Sequence, residues 1–403
     1  MSGDAYLRAN LRRFYLYCFL ANLQLWLPVW VLYLQRERGL SIGQVTALDA
    51  PFWLVAVLAQ APTGAFADRW GRRTSLVTGC LLYAAAITVF AIATSYPVIL
   101  ASYILWAVSI AFTSGADMAF LYDNLAALGE TDRYQRVAGR VFGLSAAATV
   151  IGLTAGSPLA AVTRLDVPIL SAAAIYLLSA AVAWGLREPP HTRTGGVGLF
   201  GTVGRGVSTV WREPRLRYMI GFTCVVQAAA FAPIIFVQPF LAQYGAPLGM
   251  YGVLQAPGRI CAIVAAVFAY RVARRLGEQR VLLAIPLWLC SSLLLLAAIR
   301  HPLAFVSFPL LALGIGVANP LLSGYLNRYI PAEQRATVLS LAQLGTSLLL
   351  IGFEPLMGAA AQAHGIAAAF AVATAFVGVG GALTLGPWLA AVRRATAVSR
   401  TNA

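Results

Sequence analysis

Four ionisable residues sit inside long apolar stretches of the chain: Asp49, Asp117, Arg259 and Glu354. A charge at membrane depth is costly and usually functional, in a proton relay, an ion path or a substrate contact. A carboxylate can carry a proton near neutral pH once desolvation disfavours its charged form. An Arg never gives its proton up, and His191, His301 and His364 all fall in segments between the apolar stretches. The proton-coupling candidates are therefore Asp117, Glu354 and Asp49, with Asp117 first because it lies deepest. The alternatives stay open: an ion pair or helix-packing hydrogen bond for Asp117, and a water-contacting interfacial place for Asp49 and Glu354. Arg259 either neutralises an acid or binds an anionic substrate group. The stretches hold no metal-spaced His/Cys set and no nucleophile–base pair, so no metal, cofactor or enzymatic activity is expected.

A second cluster of charge is GAFADRWGRR, from Gly64 to Arg73. Gly64 would let another helix approach closely. Gly71 can take the positive backbone angle of a tight turn.

The elements that hold these residues follow from composition. The chain has 403 residues, 60% of them hydrophobic and only 11% charged, far below the roughly 25% of soluble domains. That marks a lipid-embedded protein. All 29 basic residues are Arg, so a phosphate loop ending in Gly-Lys-Ser/Thr cannot exist and ATP hydrolysis by this chain alone is not expected. The net charge of +15 sits in short loops and not along one basic face, which argues against nucleic acid. The five Cys fall inside apolar runs without ligand spacing and read as small buried hydrophobes. No removable signal peptide precedes the first long apolar run.

Runs long enough to cross a bilayer fall near residues 14–34, 45–67, 76–94, 97–122, 138–161, 167–186, 218–241, 250–270, 279–298, 302–325, 336–358 and 366–391. Backbone groups in lipid must be satisfied internally, so the expected fold is all-α and polytopic, with twelve transmembrane helices. Placing the N-terminus inside puts 24 Arg in inner segments and four in outer ones. This asymmetry predicts cytoplasmic termini. Residues 187–217 form the longest polar interruption. They separate an N-terminal bundle, 1–186, from a C-terminal bundle, 218–403. Within that linker Gly196-Val-Gly198-Leu-Phe-Gly201 matches a dinucleotide fingerprint, but no strand precedes it, so it reads as flexible linker. The halves repeat at a shift of 206 residues: Gly43, Pro51, Arg69 and Gly71 fall on Gly249, Pro257, Arg275 and Gly277. Two pseudo-symmetric six-helix bundles are the expected result.

With that frame, Gly64-x-x-x-Asp68-Arg69-x-Gly71-Arg72-Arg73, between the second and third spans, resembles the loop signature of the major facilitator superfamily. The resemblance covers essentially the whole chain. It implies a latch on the inner face: Asp68 would accept hydrogen bonds at the start of the eleventh span, near Glu333 to Ala336. Arg72 or Arg73 would pair with Asp123, with Arg140 as a further member. It also implies that the first, fourth, seventh and tenth spans line a central cavity. Asn22, Gln24, Gln227, Gln238 and Asn319 then become substrate-cavity candidates with Arg259, each also able to bridge helices. Aromatics such as Trp26, Trp30, Phe52, Trp53 and Phe236 would stack a ligand or anchor the interface. Gly152-x-x-x-Gly156-Ser-Pro158 resembles a weakened form of the Gly/Pro signature of proton-coupled exporters. The Arg that many of them carry in the fourth span is absent here, where Ser109 stands near its place.

The expected function is secondary transport of a small, amphipathic organic molecule by alternating access, by efflux against protons. The alternatives are uptake by symport or uniport, and a non-transporting receptor on the same fold. The expected setting is the inner (plasma) membrane, as a monomer, with the lipid bilayer, the substrate and protons as its only partners.

Overall fold

The computed structural model describes residues 3–189, 208, 210–330 and 334–401. The Gly196–Gly201 motif, His191 and Glu333 lie outside them. Among the described residues the regular structure is helical, with no strand. Eleven continuous helical stretches are long and apolar enough to cross a membrane. The first expected span is not among them.

That span forms α1 (Gly3–Ala21) and α2 (Trp30–Arg36), separated by turns. Pro28 has no N–H and disfavours helical backbone at Leu27. Asn22 Nδ2 donates back to Cys18 O at 2.8 Å, giving the end of α1 a side-chain substitute for a helical bond. Between the two helices the backbone closes short turns on itself, as in Gln24 N to Asn22 O at 3.0 Å and Val29 N to Trp26 O at 3.1 Å. Hydrophobicity fixed the span, and local chemistry broke it.

The rest of the N-terminal half comprises α3 (Ile42–Ala47), α4 (Asp49–Trp70), α5 (Arg72–Ile92), α6 (Tyr96–Thr113), α7 (Ala116–Ala127), α8 (Tyr134–Val162) and α9 (Asp166–Trp184). Gly115, at φ +79°, separates α6 from α7. The C-terminal half comprises α10 (Pro214–Phe231), α11 (Val237–Gln243), α12 (Tyr251–Leu276), α13 (Glu278–Ala298), α14 (Ser307–Tyr329), α15 (Arg335–His364) and α16 (Ile366–Thr401). Glu213 caps α10, its carboxylate accepting from the Arg215 backbone at 3.3 Å and its guanidinium at 2.9 Å. Those bonds hold the carboxyl below the usual range.

The chain divides into two compact units, and their sequence boundary falls inside the 187–217 linker. The first holds Met1–Leu40, Leu48–Thr194 and Ala246–Ala256; the second holds Ser41–Ala47, Gly195–Gly245 and Pro257–Ala403. Each unit thus includes one short segment from the other half of the sequence. In the first unit, Ser157 Oγ accepts from Gly252 N at 2.8 Å and donates to Gly249 O at 3.1 Å. In the second, Ser41 Oγ meets Gln362 Oε1 at 3.1 Å, and Gly358 leaves room for Thr46.

The half-repeat survives as backbone geometry. Gly71 and Gly277, one shift apart, take φ +94° and +87°; Gly39 and Gly245, also one shift apart, take +66° and +68°. These are angles that L side chains rarely adopt. The 3₁₀ turn Ala232–Phe236 between α10 and α11 falls, under the same shift, on residues 26–30, the end of the break and the first residue of α2.

The core of the first unit is aromatic, with Trp26 edge-on to Trp106 at 5.2 Å and Tyr83 stacked on Tyr176 at 3.7 Å between centroids. In the second, Phe370 gathers Phe236 and Phe308, and Trp388 Nε1 donates to the buried Tyr325 hydroxyl at 2.8 Å.

Candidate functional site

The broken first span has a seat. A Cβ on Gly152 of α8 would lie 2.7 Å from Gln24 N, and one on Gly156 would lie 1.9 Å from Leu25 O. The two glycines lie four residues apart on one face of α8, so the backbone of 24–25 rests directly on that helix. Tyr176 of α9 fixes the end of α1, its hydroxyl donating to Ala21 O at 2.7 Å. Irregular backbone at membrane depth is tolerated where it is buried in protein or lines a cavity, and here a cavity adjoins it.

This cavity, about 320 Å³, lies wholly within the first unit. Asn22, Gln24 and Asp117, chosen separately from the sequence, all line it. Asn22 Nδ2 also reaches Ser145 Oγ at 3.2 Å. Asp117 sits in the first turn of α7, just past the Gly115 break, with its Oδ1 accepting from Met118 N at 2.7 Å. The positive end of that helix faces the carboxylate. The remaining walls include Tyr83, Trp106 and Tyr176, which nothing in the sequence singled out. Only their polar tips could have marked them.

The other intramembrane charges stand apart from this cavity. Asp49, at 8% exposure, and Glu354, at 3%, are both more buried than Asp117. Arg259 is exposed on α12 and forms no ion pair among the described residues. In the second unit Gln238 is buried, Asn319 is exposed beside Pro320, and Gln227 Oε1 is buried without a hydrogen-bond partner.

The charged loop is organised inside the first unit. Arg72 Nε lies 2.6 Å from Asp123 Oδ2, with both side chains less than a quarter exposed. Glu188 caps α5 with both oxygens, accepting from Arg72 N at 2.7 Å and Arg73 N at 2.9 Å. Sequence reasoning missed Glu188, which is far along the chain. Gly71, at φ +94°, turns the chain under that carboxylate. Arg73 donates to Trp184 O at 2.6 Å and lies over the Trp184 ring at 4.9 Å. Arg69 lies over Trp70. Beneath the loop Asn10 donates to Asn124 Oδ1 at 2.9 Å and Arg187 O at 2.8 Å. The expected partner of Asp68, near Glu333 to Ala336, falls partly outside the described residues, and the rest of the expected latch stands as follows. Gly64 meets nothing within 4 Å, because it faces outward on α4. Asp68, one turn on along the same face, is exposed and makes no hydrogen bond or ion pair among the described residues, and Arg140 is likewise exposed and unpaired there.

The Major Facilitator Superfamily family model matches residues 14–352. An uncharacterized MFS-type transporter of Bacillus subtilis, YxaM, is 23% identical over 364 residues, covering 87% of this chain and 88% of that protein. A chloramphenicol resistance protein of Streptomyces lividans is 28% identical over 203 residues, half of each chain. Among solved structures, a variant of the nucleoside transporter NupG superposes with a TM-score of 0.78 at 13% identity, over 96% of this chain and 99% of its own. A bacterial homolog of the human lysosomal transporter Spinster, inward-facing and unoccupied, gives 0.75 at 14% identity, over 96% and 98%.

Proposed function

This chain belongs to the major facilitator superfamily and is a multi-pass integral membrane protein, and from that premise we propose that it exports a small, amphipathic organic molecule in exchange for protons. The supporting observation is the convergence of Asp117, Asn22 and Gln24 on one cavity beside an interrupted helix. Polar groups bind and orient a solute there, while a carboxylate on the same wall can be protonated or charged as the solute leaves or enters. Asp117 is the proton carrier in this reading, and Glu354 and Asp49 are structural or secondary. The partial likeness to a chloramphenicol resistance protein favours outward transport. The Arg distribution favours cytoplasmic termini, and in this reading the protein works as a monomer in the inner membrane.

The loop from Gly64 to Arg73 is the gate. Arg72 and Arg73 are braced by Asp123, Glu188 and Trp184, while Gly64 and Asp68 stay exposed on one face of α4. That division suits a latch whose base is rigid and whose contact face is free in one state and engaged in the other.

The test uses inside-out membrane vesicles holding a pH gradient reported by a dye, with chloramphenicol and a panel of cationic, neutral and anionic aromatic compounds. A compound that collapses the gradient with wild type and not with Asp117→Asn supports proton exchange through Asp117. Equal responses from both proteins remove Asp117 from the proton path, and silence from wild type across the panel refutes proton-coupled export of such compounds.

A further inference from the structure

The second unit holds a cavity of its own, about 230 Å³, where the ends of α11, α13 and α15 meet the start of α16. Arg300, His364, Gln243 and Tyr244 line it, and among the described residues no acid does. Each of these four side chains carries an N–H or O–H donor. Gly365, at φ +84°, turns the chain from α15 into α16 and brings Ile366 and Ala367 to the same wall. Their backbone N–H groups lie in the first turn of α16, where no helical carbonyl can accept from them.

The acids described in this unit lie elsewhere. Glu213 pairs with Arg215 and Glu278 with Arg328. Glu354 is buried in α15, ten residues before His364, roughly 15 Å along the helix. His301, next to Arg300, accepts from Leu303 N at 3.2 Å. Arg300 itself is exposed and makes no hydrogen bond or ion pair among the described residues. Two other Arg of the outer segments do have protein acceptors: Arg38 donates to Ala91 O at 2.6 Å and Arg164 to Asp166 Oδ2 at 2.7 Å. A positive charge on that side opposes the orientation bias, and at Arg300 no contact within the chain offsets it.

Depth narrows the ligand. The 21 residues of α13 span about 31 Å at 1.5 Å per residue, close to the hydrocarbon thickness of a bilayer. Arg300 stands two residues past that helix and so at headgroup level. Leu303 and Val306, in the turn that follows, are 72% and 57% exposed, which suits contact with acyl chains. From this we propose that the cavity is a phosphate-ester site. A phosphate ester brings negative charge and acceptor oxygens to a wall of donors that holds no competing carboxylate. The headgroup of an anionic phospholipid supplies that chemistry at this depth, and a soluble phosphate ester supplies it without the chains. The site goes beyond the transport reading and stands or falls apart from it.

The experiment follows thermal melting of the full chain in an uncharged detergent as ligand is titrated, since a ligand of the folded state raises the melting temperature with its concentration. The probes are dioctanoyl phosphatidylglycerol, dioctanoyl phosphatidylcholine and glycerol 1-phosphate. Wild type should respond saturably to phosphatidylglycerol and not to phosphatidylcholine, whose phosphate is paired with its own cation. Arg300→Gln should raise the half-saturating concentration at least about tenfold, the range for hydrogen bonds to a charged group. Arg300→Lys, which keeps the charge, should raise it less, and His364→Ala should also raise it. Arg271→Gln, which removes an exposed Arg elsewhere in the second unit, should match wild type. Without ligand all four variants should melt with wild type, as exposed substitutions do. A saturable response to glycerol 1-phosphate that Arg300→Gln removes would support the same site with a soluble source. The proposal is overturned if phosphatidylcholine acts as phosphatidylglycerol does, if Arg300→Gln leaves the response unchanged, or if Arg271→Gln weakens it as much.

Discussion

Adding one methyl group at Gly156 should damage this protein, while adding one at Gly64 should not. At Gly156 the new Cβ would lie 1.9 Å from Leu25 O and 2.8 Å from Leu25 C, against a working limit of 3.0 Å. The backbone of Leu25 would have to retreat by at least about 1.1 Å, and backbone cannot rotate aside as a side chain can. Overpacking of this kind costs about 1–3 kcal/mol, and a backbone obstacle puts Gly156→Ala at the upper end, about 3 kcal/mol. At Gly64 the same atom meets nothing within 4 Å, and Ala in a helix is better than Gly by about 0.5–1 kcal/mol. The two variants should therefore differ by about 3–4 kcal/mol. Apparent melting temperatures in one detergent, read by fluorescence-detected size exclusion, provide the comparison. Gly64→Ala should match or exceed wild type, and Gly156→Ala should fall well below it. A Gly156→Ala protein that melts with wild type would mean that residues 24–25 do not rest on α8, and the broken first span would have to be abandoned with its cavity.

Two further outcomes concern the loop. A double-mutant cycle between Arg72→Gln and Asp123→Asn should show a coupling of about 1–2 kcal/mol in thermal stability; additive losses would show that the 2.6 Å contact contributes no specific pairing. Asp68→Asn should keep expression and melting within about 0.5 kcal/mol of wild type, as exposed substitutions do, yet reduce transport in vesicles. Normal turnover would remove Asp68 from the gate.

The spans were legible because lipid solvation imposes a single length on every apolar run, and the half-repeat because Gly71 and Gly277 share a backbone angle that other residues rarely take. The break at 22–29 was hidden by its own Leu and Trp residues, since hydropathy does not register backbone; only Asn22 and Pro28 hinted at it. Gly152 and Gly156 resembled an exporter signature, but their four-residue spacing also marks a face for close backbone approach, which is how α8 uses them. Asn22, Gln24 and Asp117 announced themselves as polar residues in oil. Tyr83 and Trp106 did not, because an aromatic ring in an apolar run looks the same whether it packs in a core or lines a cavity. Glu188 was invisible for another reason: it serves a helix that starts more than a hundred residues earlier.

A continuous helix is a single lever, and tilting one end tilts the other. The first span is two short levers with a joint. The arm formed by α1 is pinned where Asn10 bonds Asn124 and Arg187. The arm formed by α2 is pinned where the Tyr33 hydroxyl and Arg38 both donate to Ala91 O, at 2.5 Å and 2.6 Å. The joint between them is seated as well, on Gly152 and Gly156 of α8, and it carries Asn22 and Gln24 into the cavity. A molecule there therefore meets the span where two separate arms join, so that one arm can move without bending a rod.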